Sequence, residues 1–252
     1  MKNIILLIFS SLLLWGCAAT VNTVNMPPQE RLDYALKLYH NEDYQEALKE
    51  FQAIVLQYPG NLVVDTAQYY LGKTRYQRKE FILAAYEFSK LIKNMPSSSL
   101  VPEAQYMLAQ CYYLLSPYYA LDQKYTKKAI DEFQAFIDFF PTDPKVPDAE
   151  KKINELNTKL AHKEYHTAYI YTKLEDYKAA LMYYDFVIDT YHDTQYGPMA
   201  MFAKIELLID RNNNDEALAE ISKFEERYPK DENIAKVKEL KKKLEEKLTA
   251  SK

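Results

Sequence analysis

An alanine recurs along this chain in the same company: an aromatic residue two or three places before it, a large residue four places after it, and usually a proline twelve after it. The copies are Tyr44, Ala47, Phe51, Pro59; Phe81, Ala84, Phe88, Pro96; Ala129, Phe133, Pro141, with Tyr125 displaced slightly; Tyr177, Ala180, Tyr184, with His192 in the proline slot; and a weaker Ala217, Ile221, Pro229. The alanines stand 37, 45, 51 and 37 residues apart. A unit this small cannot bury its own apolar face, so a chain built of such units must stack them into one continuous core.

The residue types say what each unit is. Small residues are needed where two antiparallel helices cross, and Ala35, Gly72, Ala109 and Ala168 supply a crossing partner for Ala47, Ala84, Ala129 and Ala180. The two positions are twelve apart except in the third unit, where the separation of 20 marks an insertion of eight residues near 116–125. Proline stops the second helix because it lacks an amide hydrogen and restricts the residue before it. Only four glycines occur in 252 residues, too few for the tight turns of a sandwich, barrel or doubly wound sheet. The expected class is all-α. The pattern resembles the tetratricopeptide repeat, whose period is about 34 residues, which implies a right-handed solenoid of about five helix pairs over 29–229.

The start of the chain reads as an address. Lys2 precedes an apolar run from Ile4 to Trp15, the length of a signal-peptide core and too short to span a bilayer. Leu14-Trp15-Gly16-Cys17 resembles the bacterial lipobox, which implies cleavage after residue 16 and acylation of Cys17. Residues 17–28, ending in Pro27-Pro28, read as a lipidated tether. With Cys17 acylated, Cys111 is left without an intramolecular partner and is expected to be a small buried hydrophobe.

Charge excludes one class of partner. Without residues 1–16 the chain carries a net charge of −5, which argues against nucleic acid. The excess of base is confined to 230–252, where Ile234, Val237, Leu240, Leu244 and Leu248 recur at helical spacing opposite lysines; this segment is expected to be a basic amphipathic capping helix.

Chemistry finds little support. Gly16, Gly60, Gly72 and Gly197 lie too far apart to cradle a phosphate, His162 and His166 lack a third metal ligand, and Ser97, Ser98 and Ser99 have no histidine or glycine elbow nearby. Neither an enzyme nor a cofactor or metal site is expected.

The order of the repeats, the Gln57-Tyr58-Pro59 and Pro96-Ser97-Ser98 stops, Leu160-Ala161-His162-Lys163-Glu164 opening the fourth unit and the Ser116-Pro117-Tyr118-Tyr119 insertion together resemble the BamD family, the helical-repeat lipoproteins of the outer-membrane β-barrel assembly machine. That resemblance implies a non-catalytic protein anchored on the periplasmic face of the outer membrane. Its implied partners are a BamA-type barrel protein with other subunits of the machine, and unfolded outer-membrane proteins. In the repeat family the first helix of each unit lines the inner face, which implies a peptide groove formed by Tyr39, Tyr69, Tyr76, Tyr106 and Tyr113. The last two units, roughly 168–229, are the implied side of BamA docking. Another lipoprotein adaptor, a pilotin-like helper or a peptidoglycan-linked scaffold, would present the same anchor and repeats.

Overall fold

The computed structural model describes residues 22–250; Cys17 and the signal segment lie outside the described residues. These residues form eleven helices and no strand. Five antiparallel pairs run in order: α1 (Pro28–His40) with α2 (Tyr44–Gln57), α3 (Val63–Gln77) with α4 (Phe81–Asn94), α5 (Val101–Leu115) with α6 (Lys124–Phe139), α7 (Val146–Lys173) with α8 (Tyr177–Thr190), and α9 (Tyr196–Asp210) with α10 (Asn214–Arg227). The last helix, α11 (Ile234–Ala250), packs on α10 and buries Val237 and Leu244. Each helix packs chiefly on the next, and the first helices of successive pairs also touch, α1 on α3 and α7 on α9. This is the expected tetratricopeptide-repeat-like solenoid with a C-terminal cap.

Four apolar clusters follow one another along the chain, each drawn from adjacent pairs, and Tyr70 and Tyr112 join one cluster to the next. The crossing residues Ala35, Ala47, Ala84, Ala109, Ala129, Ala168, Ala180 and Ala217 are all fully buried, as are the fillers Phe51, Phe88, Phe133 and Ile221. Gly72 makes a tight crossing: a β-carbon there would stand 2.7 Å from Cε1 of Phe88. Every second helix ends two residues before its proline, at Gln57, Asn94, Phe139 and Arg227. The fourth unit ends the same way at Thr190, although His192 replaces the proline. There Gly197 lets the chain close in, since its β-carbon would meet the His192 carbonyl at 2.6 Å, and the Tyr228 hydroxyl donates to that carbonyl at 3.1 Å.

The turn inside each pair is made without glycine. Glu42, Lys79, Glu175 and Asn212 take φ values of 59 to 65°, seven residues after Ala35, Gly72, Ala168 and, at the corresponding place in the fifth pair, Ile205. The following amide then reaches back five residues, as from Asp43 to the Leu38 carbonyl and from Glu80 to the Arg75 carbonyl, both at 2.9 Å. These bonds satisfy carbonyls at the helix end. In the third unit Ser116 holds the same place with an extended backbone (φ −63°, ψ 116°), and residues 116–123 loop out. The buried Gln123 organises this loop: its Nε2 donates to the carbonyls of Tyr118, Tyr119 and Leu121, and its Oε1 accepts from Thr126.

Two features go beyond the reading of the sequence. A polar clasp joins the helices of the first three pairs, where Arg31, Gln68 and Gln105 donate to Glu50, Glu87 and Glu132 at 2.7, 2.9 and 2.8 Å. In addition, α7 has 28 residues. The fourth unit is read from sequence as opening at Leu160, but the helix begins at Val146 and passes Leu160 unbroken. Its first half packs on the third unit through Ala149 and Leu156, and its second half crosses α8 at Ala168.

Candidate functional site: a tyrosine and charge ladder on the first helices

The five tyrosines expected to line a groove lie on α1, α3 and α5, and their rings lean into the solenoid. Tyr39 and Tyr69 are buried and meet Tyr70 edge-on at 5.2 and 5.5 Å. Tyr76 packs edge-on against Phe81 at 5.4 Å. Tyr106 and Tyr113 flank Phe133 at 5.8 and 6.3 Å. A tyrosine ring anchors by apolar contact while its hydroxyl stays free to bond at the surface, and in α5 both hydroxyls find acids on the first half of α7.

The Tyr113 hydroxyl donates to Glu155 at 2.6 Å, and the Tyr106 hydroxyl donates to Asp148, which also pairs with Lys152. Lys152 donates to Tyr106 at 2.8 Å and lies over the rings of Tyr106 and Tyr113. At the N-terminal end of the row Lys145 pairs with Glu103, whose carboxylate also faces the Tyr69 hydroxyl. At the other end Lys159 donates to Ser116 at 2.7 Å and Lys163 to the Leu121 carbonyl at 2.7 Å. Glu103 thus stands between Tyr69 and Lys145, which lies over the Tyr106 ring, and between α5 and α7 the expected all-aromatic lining is a ladder of phenols, carboxylates and ammonium groups.

The electrostatics follow from these partners. Hydrogen bonds from Lys152 and Tyr106 hold the Asp148 carboxyl below its ordinary pKa, and Glu103 raises that of Lys145. Burial first and then Asp148 push the Tyr106 phenol up, whereas for Tyr113 the bond to Glu155 is the larger cause. Such a surface can hydrogen-bond the backbone and polar side chains of an extended segment while the half-buried rings of Tyr76, Tyr106 and Tyr113 take its apolar ones; the rings of Tyr39 and Tyr69 are committed to the core.

The acids and lysines of α7 carried a sequence signal that tyrosine counting does not use. Lys145, Lys152 and Lys159 are spaced by seven, as are Asp148 and Glu155, so each set lies along one face of a helix. Pairing at a constant separation of 42 residues then joins Glu103 to Lys145, Tyr106 to Asp148, Tyr113 to Glu155 and Leu121 to Lys163.

Other singled-out residues lie elsewhere. Cys111 is fully buried, and burial pushes its thiol up to about 12. His162 is stacked between Tyr119 of the insertion, at 3.7 Å, and Tyr196, at 4.9 Å. Burial, with His166 nearby, lowers its pKa. No described helix is long and apolar enough to cross a membrane.

Among proteins of known function, the chain is similar to the outer membrane protein assembly factor BamD of Rickettsia prowazekii (strain Madrid E), with 28% identity over 225 residues, 88% of this chain and 90% of that one. Solved structures that it resembles include a thermophilic tetratricopeptide-repeat protein of Thermus thermophilus (20% identity, 88% of this chain and 100% of that one, TM-score 0.37). Another is the tetratricopeptide-repeat domain of P58(IPK) (17% identity, 88% and 56%, TM-score 0.44). Scores this low add nothing to the fold seen in the chain itself. The model of the YfiO family of outer membrane lipoproteins matches residues 25–211, most of the chain. The chain thus belongs to the YfiO outer membrane lipoprotein family.

Proposed function

We propose that this protein is a non-catalytic lipoprotein subunit of an outer-membrane β-barrel assembly machine. On this reading Cys17 carries the acyl anchor on the periplasmic face, the ladder on α1, α3 and α5 receives segments of unfolded outer-membrane proteins, and the pairs α7–α8 and α9–α10 dock on a BamA-type barrel subunit. The observation that carries it is the match of nine-tenths of an assembly factor's length to a chain in which α5 aligns two tyrosine hydroxyls with acids of α7. A face of fixed donors and acceptors on rigid helices suits recognition of an extended chain, and bond-making chemistry is not required of it.

The test is a mild-detergent purification of the acylated protein from its own membranes, with mass spectrometry of what accompanies it. A barrel protein with several periplasmic domains is the expected companion. Recovery of a secretin, pilus or peptidoglycan protein in its place moves the function to a different adaptor. For the ladder, Tyr69→Ala combined with Tyr106→Ala is expected to weaken binding of barrel-derived peptides about tenfold or more, since an aromatic hot-spot residue contributes about 2 kcal/mol. Unchanged binding removes the groove from the proposal.

A further inference from the structure

The segment leading into α1 is fastened to the first helix pair. The Thr23 hydroxyl donates to Glu50 at 3.1 Å and accepts from Arg31, and the Tyr58 hydroxyl donates to the Met26 carbonyl at 2.9 Å. Cys17 lies five residues before Asn22, a span of about 18 Å at full extension. An acyl anchor on Cys17 therefore holds this end of the solenoid against the bilayer surface, whatever the rest of the chain does.

The four most exposed large hydrophobic side chains among the described residues are Leu62 (95%), Leu56 (78%), Phe139 (74%) and Val24 (73%). Val24 belongs to the fastened segment, Leu56 to the last turn of α2, Leu62 to the cap of α3 and Phe139 to the end of α6. All four stand at the edge where second helices end and first helices begin, the edge from which the tether leaves. No residue from Phe51 to Val64 is charged, so this stretch itself brings no charge to a lipid surface; the charges that share a groove with Leu56, Glu87 and Lys90, lie on α4 and pair with each other. Gln57, the polar residue beside Leu56, is occupied by Arg31 at 2.6 Å.

We propose that Val24, Leu56 and Leu62 form a lipid-contacting edge that rests in the headgroup region of the bilayer, giving the lipoprotein a fixed orientation on its membrane. The inference rests on the reading of Cys17 as the acylated N-terminus. Apolar side chains shallowly inserted beside a covalent lipid add a second point of attachment, and two points fix a direction that one flexible tether cannot. The opposite edge also bears exposed apolar residues, Leu174 and Tyr118, but these belong to the fourth and third units, far along the solenoid from the anchor.

The experiment uses the full acylated chain carrying an environment-sensitive fluorophore on Leu62→Cys, with Leu174→Cys as its counterpart, in vesicles of phosphatidylethanolamine and phosphatidylglycerol with or without brominated lipid. Leu62 is solvent-exposed, so labelling leaves the core intact, and buried Cys111 takes no label. Blue-shifted emission at 62, quenched by brominated lipid at least twofold more than at 174, is the expected result. A protein that floats with the vesicles but shows equal or no quenching at the two sites overturns the lipid-contacting edge and leaves the anchor standing. A blue shift at 62 that brominated lipid does not quench indicates a second copy of the chain there and overturns it too. A protein that fails to float removes the acyl anchor and this inference together.

Discussion

The ring of Phe88 lies so close to Gly72 that a single added methyl group would overlap its edge, with Cε1 at 2.7 Å and Cδ1 at 2.9 Å from the position of a β-carbon. Both residues are fully inside the second pair, so neither can swing away. Gly72→Ala is therefore expected to destabilise the protein by about 1–3 kcal/mol despite its better helix propensity. Chemical denaturation is the measurement, and a gain in stability would show that α3 and α4 can move apart freely.

Lys79 predicts the opposite sign. Its φ of 60° is a left-handed conformation that costs a side-chain-bearing residue about 1 kcal/mol. Glycine there relieves that cost against a smaller loss of chain entropy, so Lys79→Gly is expected to stabilise by about 0.5 kcal/mol. Lys79→Val is expected to destabilise, and thermal melts of the two variants should move in opposite directions.

The clasp at Glu87 gives a third test. Its carboxylate is nearly buried, accepts from Gln68 at 2.9 Å and lies 3.5 Å from both Arg75 and Lys90. Glu87→Ala leaves Gln68 and Arg75 without this partner and is expected to cost about 3 kcal/mol. The double replacement Gln68→Leu with Glu87→Met should recover much of the loss, and a denaturation cycle over the four proteins measures the coupling.

The ladder predicts pH dependence at both extremes. Asp148 has a depressed pKa in the fold, so its contribution is present above the unfolded value of about 3.9 and is lost as pH falls through the folded value. Asp148→Asn should flatten the acid limb of the stability profile. Tyr69, Tyr106 and Tyr113 have raised values, so their contribution is complete below about pH 10 and is lost as pH rises through their folded values. Phenolate absorbance should show these tyrosines titrating above the ordinary phenol range, and Tyr113→Phe should remove one late titration.

The alanine and proline pattern exposed most of the architecture because it answers to size and to backbone chemistry, both of which are local. Ala47 must be small whichever neighbour it meets, and Pro59 ends a helix by its own ring. The long α7 escaped although its start repeats the signal of α5, Val146-Pro147-Asp148-Ala149 matching Val101-Pro102-Glu103-Ala104, because the only crossing residue sought, Ala168, lies near its far end. The tyrosines of the candidate site were visible, but their partners were not. Which acid meets Tyr113 depends on how the third unit stacks on α7, and stacking geometry is not written at any single position.

The 28 residues of α7 make a rod about 42 Å long whose two halves belong to neighbouring units. The chain turns through a loop between every two pairs, residues 140–145 between the third and fourth, but here the helix that follows spans both units, so parting them means either peeling its first half off the third unit or breaking hydrogen bonds along a continuous helix. The solenoid is thus a spring with one splinted coil. A push against α8 or α9 at one end of that splint would reach Tyr106 and Tyr113 at the other as a displacement of the whole ladder, undamped by an intervening turn.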